Sequence, residues 1–414
     1  MENNLRGRFA RRYERLDQSV RATTSFGRWL QSLQHSSFWV SMISIKRRMR
    51  LAFTALLKTA KFLSPANRSF TLHVKYTVTM RILVTGSAGF IGFHMAMRLL
   101  DEGHTVIGLD GFTPYYDQNL KRRRDAILQD RLGFTSYTAM LEDFSTVEKI
   151  YAEGFDVVCH FAAQAGVRYS LENPRAYIDS NLMGTFNLLE LMRRTPPQHA
   201  LMASTSSVYG ANVKVPFCEI DRADHPLTLY AASKKANEEM VHAYSHLFSV
   251  PVTMMRFFTV YGSWSRPDMA PIKFASALFE GRAIDVYNHG KMARDFTFIY
   301  DLIEAMHRLL HHPPPKIDDP RPAIPGDSLS PVAPWRVVNI GNQSPVNLMD
   351  FIAALERAAG REANCHFVAM QPGDVPVTFA DTTLLARLTG FQPKTPLDKG
   401  IGEFIDWYRS YFGV

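Results

Sequence analysis

The chain has 414 residues, 46% hydrophobic and 21% charged, with 24 Gly and 23 Pro, which excludes collagen-like, coiled-coil and fully disordered chains and allows two or three domains. Three widely spaced cysteines, Cys159, Cys218 and Cys365, argue against a disulfide framework or a Cys-x-x-Cys zinc site and suit a reducing, cytoplasmic setting. The net charge of +8 is carried by one end: residues 1–79 hold 15 Lys/Arg against 3 Asp/Glu, a balance of +12, whereas residues 80–414 hold 32 against 36, a balance of −4, so the larger part gives no electrostatic reason to expect a nucleic-acid partner.

Residues 1–79 show no sustained helical or strand period. Three readings of them stay open: a dispensable extension before a domain that could start at Met80, a peripheral membrane contact through the basic, amphipathic stretch Ile45 to Leu63, or a targeting segment. No apolar run approaches about 18 residues, so a spanning helix is not expected.

From Met80 strands and helices alternate. Arg81–Thr85, Thr105–Leu109, Phe134–Met140, Phe155–Phe161, Ala200–Ser204 and Val252–Arg256 read as strands. The continuous hydrophobicity of Phe155–Phe161 suits burial on both sheet faces. Phe90–Leu100, Ala176–Arg194 and Tyr230–Leu247 read as helices. This alternation predicts an α/β fold, a Rossmann-type doubly wound parallel sheet over residues 80–262. Beyond Gly262 the alternation becomes irregular, which predicts a smaller, interleaved C-terminal lobe over 263–414. Within it, Pro313 to Pro334 holds eight prolines in 22 residues and reads as an exposed loop.

Three motifs carry chemistry. Gly86-Ser-Ala-Gly89-Phe-Ile-Gly92 follows a strand and opens a helix, the arrangement whose glycines permit a tight turn, close backbone approach and helix–strand packing, with free N–H groups facing a pyrophosphate. Asp110 ends the next strand, where a carboxylate binds ribose hydroxyls. No Arg stands beside it for a 2′-phosphate, which favours NAD over NADP. Tyr230-Ala-Ala-Ser-Lys234 puts a phenol and an ammonium on one helix face. A neighbouring cation favours the phenolate and so makes Tyr230 a candidate base. Ala203-Ser-Thr205-Ser-Ser-Val-Tyr-Gly210 ends a central strand and offers a hydroxyl beside that base. Lys121-Arg-Arg-Arg124 reads as a solvated helix face, His311-His312 as loop, and His160 as a packed strand end. No ligand-spaced cluster points to a metal.

Together with His160-Phe-Ala-Ala163 and Asn181, these motifs resemble the extended short-chain dehydrogenase/reductase family. Arg256 to Met269, Ile284-Asp-Val-Tyr-Asn-His-Gly290, Arg294-Asp-Phe-Thr297 and Gln371-Pro-Gly-Asp374 resemble its UDP-glucuronate 4-epimerase branch, found in capsule and lipopolysaccharide pathways. The resemblance covers about residues 80–412. It implies that Gly86, Gly89, Phe90, Ile91, Gly92, Asp110, Leu141, Ala162 and Ala163 hold NAD, and that Tyr230 is the base, Lys234 its electrostatic partner and Thr205 the hydroxyl relay. It also implies that Thr259, Arg294 and Asp374 grip a UDP-sugar. Arg266, Ser206 and Ser207 are candidates for the sugar carboxylate, because an Arg fork can bond both its oxygens, and Arg168 is a further substrate-side candidate. A homodimer is the family-level expectation. The chain departs from relatives at Met140 (often Asp) and Gly111 (often Asn), and Gln371 stands where hexose epimerases often place Arg. Ser206 and Ser207 stand where dehydratases carry Asp-Glu, which argues against water elimination. The alternatives are a UDP-hexose 4-epimerase, a UDP-glucuronate decarboxylase and, outside catalysis, an NAD-binding regulator.

Overall fold

Seven parallel strands form the frame of a computed structural model that describes residues 79–414, except Asp318, residues 320–323 and Pro372. The proposed helix Ile45 to Leu63 lies outside the described residues. The first half of the frame runs β1 (Arg81–Thr85), α1 (Phe90–Asp101), β2 (Thr105–Asp110), α2 (Gln118–Gln129), β3 (Phe134–Thr138), α3 (Phe144–Tyr151) and β4 (Val157–His160). Two single turns, α4 (Tyr169–Glu172) and α5 (Pro174–Tyr177), precede a π-helical segment Ile178–Met183 and α6 (Gly184–Arg194). Then come β5 (His199–Thr205), α7 (Leu229–Phe248) and β6 (Val252–Phe257).

The remaining chain holds β7 (Thr259–Tyr261), α8 (Ala270–Glu280), β8 (Ala283–Val286), β9 (Ala293–Phe298), α9 (Ile299–Leu310), β10 (Trp335–Ile340), β11 (Pro345–Asn347), α10 (Leu348–Ala359), β12 (Asn364–Phe367), α11 (Thr383–Thr389) and α12 (Leu397–Phe412). The main sheet has the order β10-β6-β5-β4-β1-β2-β3, every pairing parallel. Strand order reverses between β1 and β4, the place where an open α/β sheet leaves a crevice for a ligand. Two small sheets, β11-β9-β7 and β12-β8, complete the set.

The strands form where apolar side chains are continuous. All of β4 and β6 and nearly all of β5 are buried, because helices cover both faces and a parallel sheet has no wet side. One apolar cluster gathers Ile82, Val84, Phe93 and Met255 with α9 and the C-terminal helices. Another, holding Leu83, Val158, Leu189 and Met254, packs on the opposite face. The side chains of adjacent strand residues point to opposite faces, so neighbours such as Ile82 and Leu83 serve different clusters.

Two local expectations change. The helix read from Ala176 to Arg194 is continuous in course but passes through the π segment, whose wider turn a 3.6-residue pattern does not reveal. The strand read to Met140 ends at Thr138. From the irregular half of the chain β10 returns to pair with β6 from Trp335–Val252 to Ile340–Phe257. The described residues of 313–334 form no strand or helix, and Asp327 and Ser328 tie them to Arg336 and Val337.

Candidate active site

The glycine turn is a device for backbone closeness. Gly86 has φ +74° and a Cβ there would lie 2.8 Å from the Ala162 nitrogen; one at Gly92 would lie 2.1 Å from the Gly86 carbonyl. Gly86 N–H donates to Leu109 at 2.6 Å and Gly89 N–H to Gly86 at 2.9 Å. Gly89 caps α1 without a side-chain acceptor, so the first N–H groups of the helix remain available to an anion.

This turn opens into a cavity of about 280 Å³ lined by Gly86, Gly89, Phe90, Ile91, Gly92, Asp110, Leu141, Ala162 and Ala163, and by Thr205, Tyr230, Lys234 and Arg266. Every residue expected to hold the dinucleotide and all three catalytic candidates therefore face one space. A second recess of about 140 Å³ is lined by Ser206, Ser207, Thr259, Arg294 and Asp374. The end of β5 lies where the two recesses adjoin: Thr205 faces one, and Ser206 and Ser207 the other. Arg266 thus shares its cavity with Tyr230 rather than with the two serines. Arg168 lines neither; it lies over the Tyr287 ring at 4.7 Å and 3.5 Å from Asp374.

Helix α7 positions the candidate base. Thr228 caps it, accepting from Ala231 N–H at 3.2 Å, and so fixes the turn that carries Tyr230. Lys234 follows one turn later with 2% exposure. The electrostatics bring a further cation, Arg266, to Tyr230. Burial pushes Tyr230 above the usual phenol range; the Thr205 hydroxyl and the Arg266 charge pull it back, and Asp268 pushes it up. Burial brings Lys234 itself down to about 8, against the charge of Glu238. Arg266, on a loop, is thus a second cation beside the candidate base.

Below the cavity floor a buried network joins three elements. Arg256 on β6 donates Nε and Nη2 to the two oxygens of Glu238 on α7 at 2.9 and 2.7 Å, and Ser204 donates to Glu238 at 2.7 Å. The residue before Thr205 is therefore tied to the helix that carries Tyr230. His160 bonds Thr85 at 2.8 Å and Thr185 at 3.2 Å and burial takes it down to about 3; it is the packed strand end expected from the sequence.

The solvated reading of residues 121–124 is corrected. Only Arg122 and Arg123 are exposed. Lys121 Nζ donates to Asp110 Oδ1 at 2.8 Å. Arg124 is fully buried, donating to Ala88 O at 2.9 Å and to Tyr116 OH at 3.0 Å. Acceptors from β2, the glycine turn, Tyr116 and the Trp264 and Ser265 carbonyls hold these two cations, Arg124 Nε alone lacking one, and a run of four basic residues read alone cannot show that. Asp110 also accepts from Ala88 and Phe112 N–H at 3.1 and 2.8 Å. The departures at Gly111 and Met140 meet: a Cβ at Gly111 would sit 2.1 Å from the Met140 sulfur. Sequence reasoning assigned no role to Tyr115 or Asp268. Asp268 lies within the Arg256–Met269 stretch and Tyr115 four residues after Gly111, and only the fold brings them within 3.0 Å of each other.

The glycine turn, Asp110 and Tyr230-x-x-x-Lys234 fall within residues 82–318, which match the NAD dependent epimerase/dehydratase family. A relative from Rhizobium meliloti (strain 1021), a probable UDP-glucuronate 4-epimerase, is 56% identical over 335 residues, 80% of this chain and 98% of its own. The UDP-glucuronic acid 4-epimerase of Bacillus cereus, solved with UDP-glucuronic acid and NAD, superposes with a TM-score of 0.71 at 29% identity, covering 80% of this chain and all of that one. The UDP-glucose 4-epimerase of Thermotoga maritima follows at 25% identity and a TM-score of 0.69, over 80% and 100% of the two chains. The chain belongs to the NAD-dependent epimerase/dehydratase family.

Proposed function

We propose that this enzyme interconverts UDP-glucuronate and UDP-galacturonate by inverting C4 of the sugar, with NAD as its cofactor. The observation that carries the proposal is the placement of Tyr230, Thr205, Lys234 and Arg266 around one cavity with the glycine turn: a base, a hydroxyl, an ammonium and a carboxylate-binding fork within one space. The chain suits a dinucleotide on its own geometry. The turn tolerates no Cβ at Gly86 or Gly92, α1 presents uncapped N–H groups, and Asp110 puts a carboxylate at the end of β2 where a ribose is held.

In this reading Tyr230 removes the C4 hydroxyl proton and Thr205 hydrogen-bonds the same oxygen. Lys234 donates to the ribose. NAD, held by the glycine turn and Asp110, would supply the hydride acceptor and donor at C4. The 4-keto sugar turns over in the cavity, and Tyr230 returns the proton once the opposite face has been reduced. Thr259, Arg294 and Asp374 line the second recess, which takes the nucleotide end. The 4-keto sugar is a β-keto acid. It can lose CO₂ by cleavage of the C5–C6 bond, with the electron pair passing into the enolate of the C4 ketone, which is then protonated. Arg266 opposes this by holding the carboxylate near the plane of the ring carbonyl, where the breaking bond overlaps the carbonyl π system poorly.

Proton NMR of UDP-glucuronate with the protein and NAD⁺ tests the proposal. UDP-galacturonate signals growing to a plateau are expected. Loss of the carboxylate would instead assign a decarboxylase, and conversion of UDP-glucose alone a neutral hexose epimerase. We also assign a homodimer, paired through the exposed side chains of Met183, Phe186, Leu247 and Phe248 on α6, α7 and the π segment, because neighbouring exposed apolar groups of this size call for a partner. Sedimentation should give a dimer that Phe186→Glu converts to monomer. Three unpaired thiols support a reducing, cytoplasmic location. Among the described residues no helix is long and apolar enough to cross a membrane.

A further inference from the structure

Arg266-Pro267-Asp268-Met269 is a tight turn. Met269 N–H donates to the Arg266 carbonyl at 3.2 Å, and Pro267 occupies the second position, where its fixed φ suits such a turn. The turn sets the side chains of Arg266 and Asp268 side by side. Arg266 Nε reaches Asp268 Oδ1 at 3.1 Å and Nη2 reaches Oδ2 at 3.0 Å. Tyr115 OH then donates to Asp268 Oδ2 at 3.0 Å. Tyr115 is itself held: its ring lies 4.7 Å from that of Tyr169, and its hydroxyl occupies the space that a Cβ on Gly166 would need, 2.4 Å away.

One edge of the Arg266 fork is therefore committed within the protein, and Nη1 has no protein acceptor among the described residues. Resting on the function proposed above, we infer that Asp268 is the positioning residue of the carboxylate site. Braced by Tyr115, it orients Arg266 so that Nη1 meets the substrate carboxylate, and it holds the local charge beside Tyr230 near neutral. An arginine without this brace would attract the anionic substrate as well or better, but would not fix the plane of its carboxylate. The groups facing Tyr230 are Thr205 from β5, Lys234 from α7, Arg266 and Asp268 from the turn, and the Tyr177 ring from α5 at 6.1 Å. Of these, Asp268 opposes formation of the phenolate and Arg266 favours it.

Asp268→Asn tests the inference in the full-length protein with NAD⁺ and UDP-glucuronate. Removing the negative charge lowers the Tyr230 pKa, so the acidic limb of the kcat/KM profile should move to lower pH by at least about half a unit. KM should stay level or fall, kcat should fall about tenfold, and a decarboxylated UDP-pentose product should appear. Asp268→Glu, which keeps the charge, should keep the wild-type limb. If Asp268→Asn does not fold, Tyr115→Phe serves: it removes one brace and should leak decarboxylated product with the limb in place. A wild-type limb and clean product in Asp268→Asn, or clean product in Tyr115→Phe, overturn the inference. A wild type that does not convert UDP-glucuronate overturns the functional reading beneath it instead.

Discussion

Tyr230 sits in conflict with its surroundings. Burial favours the neutral phenol, and a base must be the phenolate, so the charge of Arg266 and the Thr205 hydroxyl carry part of the cost of ionisation. Tyr230→Phe removes the proton acceptor and leaves the ring contact with Tyr177. Its kcat for C4 inversion should fall by about 10²–10⁴-fold, with NAD still bound, as measured by initial rates alongside the bound-cofactor absorbance. Retained turnover would place the base elsewhere. At this scale much was legible. The glycines, Asp110 and Tyr230-x-x-x-Lys234 are short-range patterns, and each keeps its meaning once folded. The influence of Asp268 on Tyr230, and the burial of Lys121 and Arg124, depend on partners far away in sequence, such as Tyr115 for Asp268 and Trp264 for Arg124.

Helix α7 is the element that carries two of the three proposed catalytic residues. Its first turn carries Tyr230, its second Lys234 and its third Glu238. Glu238 is enclosed, with its oxygens shared by Arg256, Ser204 and Lys235. Truncating it would strand the Arg256 guanidinium, which has 3% side-chain exposure. Glu238→Ala should therefore lose about 3–5 kcal/mol in urea unfolding. A loss below about 1 kcal/mol would show that water or the Tyr209 ring, 4.7 Å from Arg256, replaces the carboxylate. The strands were legible as elements because buried apolar runs have no other use. The π segment was not, because its side chains follow the same apolar rhythm as the helices beside it. The pairing of β10 with β6 was not either, because it joins residues about 83 apart in sequence and registers no local signal.

Across the whole molecule, three of the four buried histidines lower stability in acid, and Glu219, which burial pushes up to about 7, offsets part of that loss. His94 and His199 are brought down to about 4 and His160 to about 3, each by burial. Unfolded, each takes up a proton near pH 6.5. Between that value and the folded one the unfolded chain holds more protons, so stability falls as pH falls. At pH 5 the loss is on the order of 2 kcal/mol for each histidine. Thermal melting should accordingly drop from pH 7 to pH 5, and His199→Gln should flatten the slope while lowering Tm at pH 7, because it gives up the bonds to Leu310 and Thr253 at 3.1 and 2.9 Å. A melting temperature level across this range would mean that the imidazoles accept protons in place.

The meeting of Gly111 with the Met140 sulfur restricts the order in which this wall of the cleft can change. Asparagine at 111 must first displace the thioether, since even a methyl group would overlap it. Aspartate at 140 clears that space before anything is added opposite. The route from the present apolar pair to a hydrogen-bonding one therefore runs more readily through position 140, because in the reverse order the Met140 thioether must swing aside first. A double-mutant cycle on NAD affinity should show the two substitutions to be coupled by about 0.5–3 kcal/mol, with Gly111→Asn harmful alone and tolerated beside Met140→Asp. Sequences drifting from this one would then exchange the two residues as a unit, the methionine leaving first.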